Sequence, residues 1–232
     1  MKWLGISMLI FACSSTKLEA AEKDEHVVAK LRTAPIRPDA LCVTKGAAAV
    51  GARVTVPAMR AIARGSSGEA AALRFTYRGD TEDTRALASG QLRRQLGLKL
   101  RAMNGCNLIY VMWRLDPKPK LDVSIKLNPG MKTHKECGAE GYTKVHGRDA
   151  APVPALEVGA THVLRAEIAG DELVAWIDDR LAWRGELPAA AHDLSGPAGM
   201  RSDNLAFDLV AFEAPAGDAR AALPKCVVEE GD

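Results

Sequence analysis

The sequence predicts an all-β protein built as a two-sheet antiparallel sandwich. Three observations carry that expectation. From Ala71 onward apolar residues recur at every second position; the alternating segments are short; and they are separated by turns rich in Gly, Pro, Asn and Asp, with no helical repeat between them. With 232 residues, 47% of them apolar, the chain is long enough to bury one independently stable core. No apolar run reaches the ~18 residues of a membrane-spanning helix, and no internal repeat divides the chain.

The first residues read as an address. Lys2 supplies a positive start and Leu4 to Ala12 a short apolar run, so residues 1–12 are expected to be a signal peptide. Ile10-Phe11-Ala12-Cys13 resembles the bacterial lipobox. The resemblance implies cleavage before Cys13, acylation of that cysteine, and membrane contact through the lipid alone, each buried methylene adding about 0.8 kcal/mol. Ser14, rather than Asp, after the cysteine implies sorting to an outer membrane. A competing cleavage after Leu18-Glu19-Ala20 lacks a small residue at its first position. Residues 13–41 carry KLEAAEKDEH and TAPIRPDA and are expected to form an exposed linker, with at most a short helix around His26 to Leu31. The sandwich is then expected over 42–232.

Beyond Cys13 four cysteines remain: Cys42, Cys106, Cys137 and Cys226. An even number in an exported chain implies two disulfides, with three pairings open. The favoured pairing joins Cys42 to Cys226, tying the domain's ends, and Cys106 to Cys137, clipping its middle. The rival is zinc, because His134, Cys137 and His146 lie close in sequence. Structural zinc sites use tight ligand pairs such as C-x-x-C, which this chain lacks.

Arg60 to Ser67 reads as a helical turn or a loop. Leu73, Phe75 and Tyr77 alternate with Arg74, Thr76 and Arg78, and Leu96, Leu98, Leu100 and Ala102 alternate with Gly97, Lys99 and Arg101. Cys106 to Leu115 is apolar at successive positions, as a central strand buried on both faces would be. Leu121, Val123, Ile125 and Leu127 alternate with Lys120, Asp122, Ser124 and Lys126, until Asn128-Pro129-Gly130 stops the strand. Four more strands are predicted at Val163 to Ile168, Glu172 to Asp178, Leu181 to Arg184 and Leu205 to Phe212.

The segment AWIDDRLAW, Ala175 to Trp183, reads as a hairpin. Asp tolerates the positive φ of a tight turn, so Asp178 and Asp179 are turn residues before they are an acid pair. The run from His162 through this hairpin, with Gly196-Pro-Ala-Gly199-Met-Arg-Ser-Asp-Asn204-Leu-Ala-Phe207 downstream, resembles concanavalin A-like and laminin-G-like jelly-roll domains across about residues 70–213. The resemblance implies that fold, and a binding role toward carbohydrate or protein. It also implies a sheet face as the place of binding, since function resides in sites grafted on a fold.

Catalytic and cofactor motifs are scarce. The E-x-D-x-x-E of glucanases sharing that fold is absent. Glycosidases need two carboxyls ~5–10 Å apart, and neither the turn carboxylates Asp80, Glu82, Asp83 and Asp116 nor Asp122, Glu167, Asp178, Asp203 and Asp208 are spaced as a pair. Glycoside cleavage by a hydrolase or lyase therefore stays an alternative. Gly65-Ser-Ser-Gly68 is not a nucleophile elbow, and Gly46 to Gly51 lacks the Lys of a phosphate loop. No cofactor or metal is expected, save that the resemblance admits calcium at Asp178, Asp203 or Asn204. Arg78-Gly79-Asp80 reads as a turn after a strand.

Charge is uneven: residues 74–148 hold 15 Lys/Arg against 7 Asp/Glu, residues 149–232 only 6 against 16, although the whole chain is at +2. If the apolar alternants face a core, Arg74, Arg78, Lys99, Arg101, Lys120 and Lys126 face out, joined by Tyr110, Met112 and Arg114 if that face of the central strand is exposed. Guanidinium forks suit carboxylates and sulfates. The expectation is a non-catalytic envelope protein binding a glycan or other anionic polymer on this basic face. The bland counterpart is that these cations merely solvate strands or pair with the acidic half. A structural protein binding an envelope protein is a third alternative. Few stackable rings and a near-neutral chain argue against nucleic acid.

Overall fold

The computed structural model describes residues 33–37, 40–217 and 226. The predicted signal peptide, the predicted lipidation site Cys13 and most of the expected linker lie outside them.

Two antiparallel sheets make up the domain. The larger is eight-stranded, with strands β1 (Ala34–Pro35), β3 (Arg53–Val54), β5 (Ala70–Asp80), β10 (Asp149–Ala150), β11 (Thr161–Ala169), β12 (Glu172–Ile177), β13 (Arg180–Glu186) and β15 (Leu205–Ala214). Its path runs β1-β15-β5-β11-β12-β13-β10, and β3 pairs with β15. The second sheet is seven-stranded, ordered β2 (Leu41–Lys45), β4 (Ala58–Ala63), β14 (Gly199–Asp203), β6 (Gln95–Leu100), β7 (Leu108–Arg114), β8 (Lys120–Lys126) and β9 (Tyr142–Val145). The only α-helix among the described residues is α1 (His134–Cys137), a single turn.

Period-two patterning explains the packing. Leu73, Phe75 and Tyr77 of β5 and Leu164, Ala166 and Ile168 of β11 share a core with Leu96, Leu98 and Leu100 of β6 and Ile109, Val111 and Trp113 of β7. Phe75 meets Trp113 edge-on, ring centroids 5.9 Å apart, joining the sheets across the core. β7 is buried on both faces, as its unbroken apolar run predicts, because Tyr110 and Met112 pack on the side away from the core.

The β12–β13 hairpin turns at Asp178 and Asp179, with φ of 50° and 62° and Ile177 facing Arg180. Two successive positive φ values are those of a type I′ turn, whose twist matches the strands it joins. The Asp178 carboxylate accepts from the Val163 amide and sits 2.8 Å from His162 Nδ1, so it is committed to the turn.

Two expectations change. Arg60 does not lie in a helical turn or loop: Ala58–Ala63 is a strand between β2 and β14. Met59, Ala61 and Ala63 point into the core while Arg60 and Ile62 point away, and alanines disguise that alternation because they favour no strand. Ala34 and Pro35, expected in the linker, pair with Ala214 and Glu213 of β15, so the sandwich starts before residue 42. The disulfides are Cys42–Cys226 and Cys106–Cys137, the favoured pairing rather than a zinc site. Two disulfides are the cysteine usage of an exported chain.

Candidate functional site

The face of the seven-stranded sheet turned away from the core is the floor of a groove of about 1170 Å³. Antiparallel register sets the floor in rows across the strands. One row carries Ile62, Gly199, Lys99, Tyr110, Ser124 and Lys144; the next Lys45, Arg60, Arg201, Gly97, Met112 and Asp122; the third Ala58, Asp203, Gln95, Arg114 and Lys120. Gly97 and Gly199 are required here. A Cβ on Gly97 would lie 2.2 Å from the Val111 carbonyl oxygen, and one on Gly199 would lie 2.3 Å from that of Ala61.

Walls rise at the two ends of these strands. At the end marked by Gln95 and Asp203 stands the segment 85–93. Asn204, at φ 54°, holds it by accepting from the Arg85 amide and donating to the Arg85 and Arg93 carbonyls. At the other end, α1 and residues 102–105 are clipped together by Cys106–Cys137. Asn107 donates to the Met131 carbonyl there, and Lys126 Nζ donates to Gly138 O at 2.8 Å. Because the walls stand at strand ends, the groove runs across the strands.

Eleven Lys and Arg side chains line the groove against two carboxylates, Asp122 and Asp203. Asp122 is bound to Arg114 at 2.5 Å. Asp203 is gripped by Arg60 at 2.6 Å, Arg201 at 2.8 Å and Gln95 Nε2 at 2.7 Å. Burial alone would raise the Asp203 carboxyl, but the Arg60 and Arg201 guanidiniums outweigh it, with hydrogen bonds from Arg201 and Gln95, and hold it at about 2. Lys99 is 6% exposed, and burial, then repulsion from Arg60 and Arg201, depresses its ammonium to about 7. Arg201 lies over the Tyr110 ring at 5.1 Å, and Tyr110 stacks on Tyr142 at 6.1 Å. Gln95 Oε1 and Arg114 Nε are buried with no hydrogen-bond partner.

The predicted basic set divides. Lys99, Tyr110, Arg114 and Lys120 come together in the groove. Lys126 shares their face but lies beneath the α1 wall, tied to Gly138 and 5.1 Å from the Tyr142 ring. Arg101, at φ 44°, turns away at the end of β6 and pairs with Glu69 at 2.7 Å. Arg74 and Arg78 lie on β5, in the other sheet, where Arg78 is bound to Asp208 at 2.5 Å. The eight do not share one face: a groove of the seven-stranded sheet holds four of them. Trp113 and Trp183 are in the core, and Trp176 lies under Arg165, whose guanidinium carbon is 3.9 Å from the ring centroid. Among the described residues no group of three or more His, Cys, Asp or Glu is placed to hold a metal; Asp203 and Asn204, admitted for calcium, are held as described above. Arg60, Gln95, Arg201 and Lys144 were not singled out from the sequence. Only the alternation of Arg201 and Asp203 around Ser202 carried a signal for them.

No family model matches the chain, and no curated protein matches its sequence. Among solved structures, the carbohydrate-binding module CBM66 from Bacillus subtilis is similar in fold, with a TM-score of 0.51 at 13% identity over 75% of this chain and 96% of that one. A tetrameric galectin from the ball sponge Cinachyrella sp. gives 0.41 at 14% identity over 68% and 99%. A Crh5 transglycosylase in complex with NAG gives 0.44 at 13% identity over 82% and 85%. The last two likenesses are slight and add nothing to the first. Strand order, two-sheet packing and the likeness to the bacterial module agree: the chain is an antiparallel β-sandwich of the concanavalin A-like jelly-roll fold.

Proposed function

We propose that this chain is a non-catalytic protein of the cell envelope, anchored through an acylated Cys13, that binds an anionic carbohydrate polymer along the groove of its seven-stranded sheet. The observation that carries the reading is the excess of cations in that groove, eleven against two carboxylates already engaged by arginine. Walls on both sides lower the dielectric around those charges and strengthen their pull on a polyanion. Buried polar atoms without partners, Gln95 Oε1 and Arg114 Nε, suit the hydroxyl and carboxylate groups of a sugar. The bacterial protein of similar fold is a carbohydrate-binding module, which agrees with a sugar as ligand.

Two features favour binding over glycoside hydrolysis. Hydrolysis requires a carboxylic acid kept protonated near neutral pH. Here the Asp203 carboxyl is driven the opposite way, to about 2, and Asp122 is committed to Arg114.

The test titrates the purified chain with a uronate polymer, a sulfated glycan and a neutral glucan at low and high salt. Binding confined to the acidic polymers and weakened by salt is the expected result. Equal affinity for the neutral glucan, or silence toward all three from a folded chain, would refute it. For the anchor, Cys13→Ala is expected to move the chain from the membrane fraction to the soluble one; an unchanged distribution refutes that part alone.

A further inference from the structure

Lys99 is unlike every other cation of the groove. Lys132, Lys135 and Lys144 on the rim stand in water, and Arg60, Arg114 and Arg201 each hold a carboxylate. The Lys99 ammonium is buried, and its one hydrogen bond is a long one, 3.4 Å to the Ala61 carbonyl. Both carboxylates of the groove are taken by guanidiniums, Asp203 by Arg60 and Arg201 and Asp122 by Arg114, so neither is left to Lys99. Leaving a buried charge without a counter-charge is costly. The register sets Gly199 directly beside Lys99, and Gly97 beside Arg201, so bare backbone lies next to both cations.

We propose that Lys99, with Arg60 and Arg201, forms a subsite for one oxyanion substituent of the bound glycan, a carboxylate, sulfate or phosphate, and that a proton from the medium is taken up on Lys99 as the subsite fills. The inference rests on the groove being the glycan site. The polymer's other charges are met by side chains nearer the rim; this one is met by a desolvated amine whose only hydrogen bond goes to a neutral carbonyl. An amine depressed to about 7 is largely neutral at pH 8, and an arriving anion restores its charge, taking the proton from the buffer. The charged and titratable groups around it are Arg60 from β4, Lys45 from β2, Arg201 and Asp203 from β14, Tyr110 from β7 and Tyr142 from β9. Burial brings the Lys99 ammonium to about 7, and His134 on α1 is depressed by its own burial and then by Lys126 and Arg201.

Calorimetric titration of the full chain with an oligogalacturonate, at pH 8 in two buffers of different ionisation enthalpy, reads the proton directly. Net uptake is expected, with affinity at least about tenfold weaker at pH 8.5 than at pH 6. The methyl-esterified oligomer should lose both effects, and a sulfated oligosaccharide shows whether the subsite accepts tetrahedral oxyanions as well. Lys99→Met should remove the uptake and weaken binding about tenfold or more at pH 6. Lys99→Arg, permanently charged, should keep affinity but show neither uptake nor pH dependence. If the chain binds the oligomer and Lys99→Met alters neither affinity nor uptake, the subsite is wrong and the groove reading stands. If no acidic glycan binds the chain, both fall. Near-ultraviolet circular dichroism of each variant excludes misfolding as the cause of a loss.

Discussion

The two outward faces of the sandwich use the same residue types to opposite ends. On the eight-stranded sheet several cations sit beside anions: Arg53 and Arg78 share Asp208, Arg148 reaches Glu172, and Arg165 pairs with Glu167 while covering Trp176. On the seven-stranded sheet, walls enclose the face and cations outnumber carboxylates. Basic residues in a sequence therefore do not locate a basic site. What matters is which side chains the fold sets opposite one another, and whether water can screen them.

Removing an anion from each face separates the two most sharply. Asp203→Ala leaves two enclosed guanidiniums without their counter-charge and should cost about 3–5 kcal/mol in urea unfolding. Asp208→Ala leaves Arg53 and Arg78 in solvent, and a loss of comparable size there would break the distinction. Opening Cys106–Cys137 with paired serines should cost about 2–4 kcal/mol and loosen the α1 wall, weakening glycan binding as well as stability. If binding survives unaltered, that wall is not part of the site.

The pH dependence of stability sharpens the contrast further. Lys99 titrates at about 10.4 when unfolded and at about 7 when folded, so the unfolded chain holds the extra proton between those values and stability rises with pH across them. Lys99→Met should therefore unfold at higher urea than the parent at pH 6, with the gain shrinking toward pH 10. For Asp203 the sign reverses: its folded pKa is depressed, so its contribution is present above the ordinary aspartate range and is lost as pH falls toward 2. The smallest expected effects are on the rim. Arg93→Ala with Lys144→Ala should weaken polyanion binding about threefold to tenfold per cation at low salt. Arg74→Ala with Arg78→Ala should leave binding unchanged, and a reversal of those two results would move the site to the other sheet.

Much of the fold was legible because local chemistry determines it. Asp178 and Asp179 mark their turn by tolerating positive φ, and the alternation in β5, β6 and β8 needs no knowledge of neighbours. The site was legible only in part, because pairing between strands distant in sequence is not written locally. Arg74 and Lys99 sit in segments of identical pattern, yet β5 pairs with β11 and β15 whereas β6 pairs with β14 and β7. Arg60 was hidden by an alanine-rich strand, and Arg201 by a short stretch, Gly199 to Asp203, that carries no apolar alternation. The charge asymmetry of the two halves was visible, but Asp203, from the acidic half, ended in the basic groove and two of its cations closed on it.

The rows of the groove floor also give the protein a ruler. Each strand of the sheet presents at least one cation to the channel: Lys45 from β2, Arg60 from β4, Arg201 from β14, Lys99 from β6, Arg114 from β7, Lys120 from β8 and Lys144 from β9. Neighbouring strands lie about 4.8 Å apart, so positive charge recurs along the channel with that period. A chain whose negative groups repeat at a commensurate interval meets one strand per repeat, and a longer or irregular interval leaves strands unmatched. Backbone hydrogen bonding, which knows nothing of the ligand, thereby sets the charge spacing at which the channel discriminates.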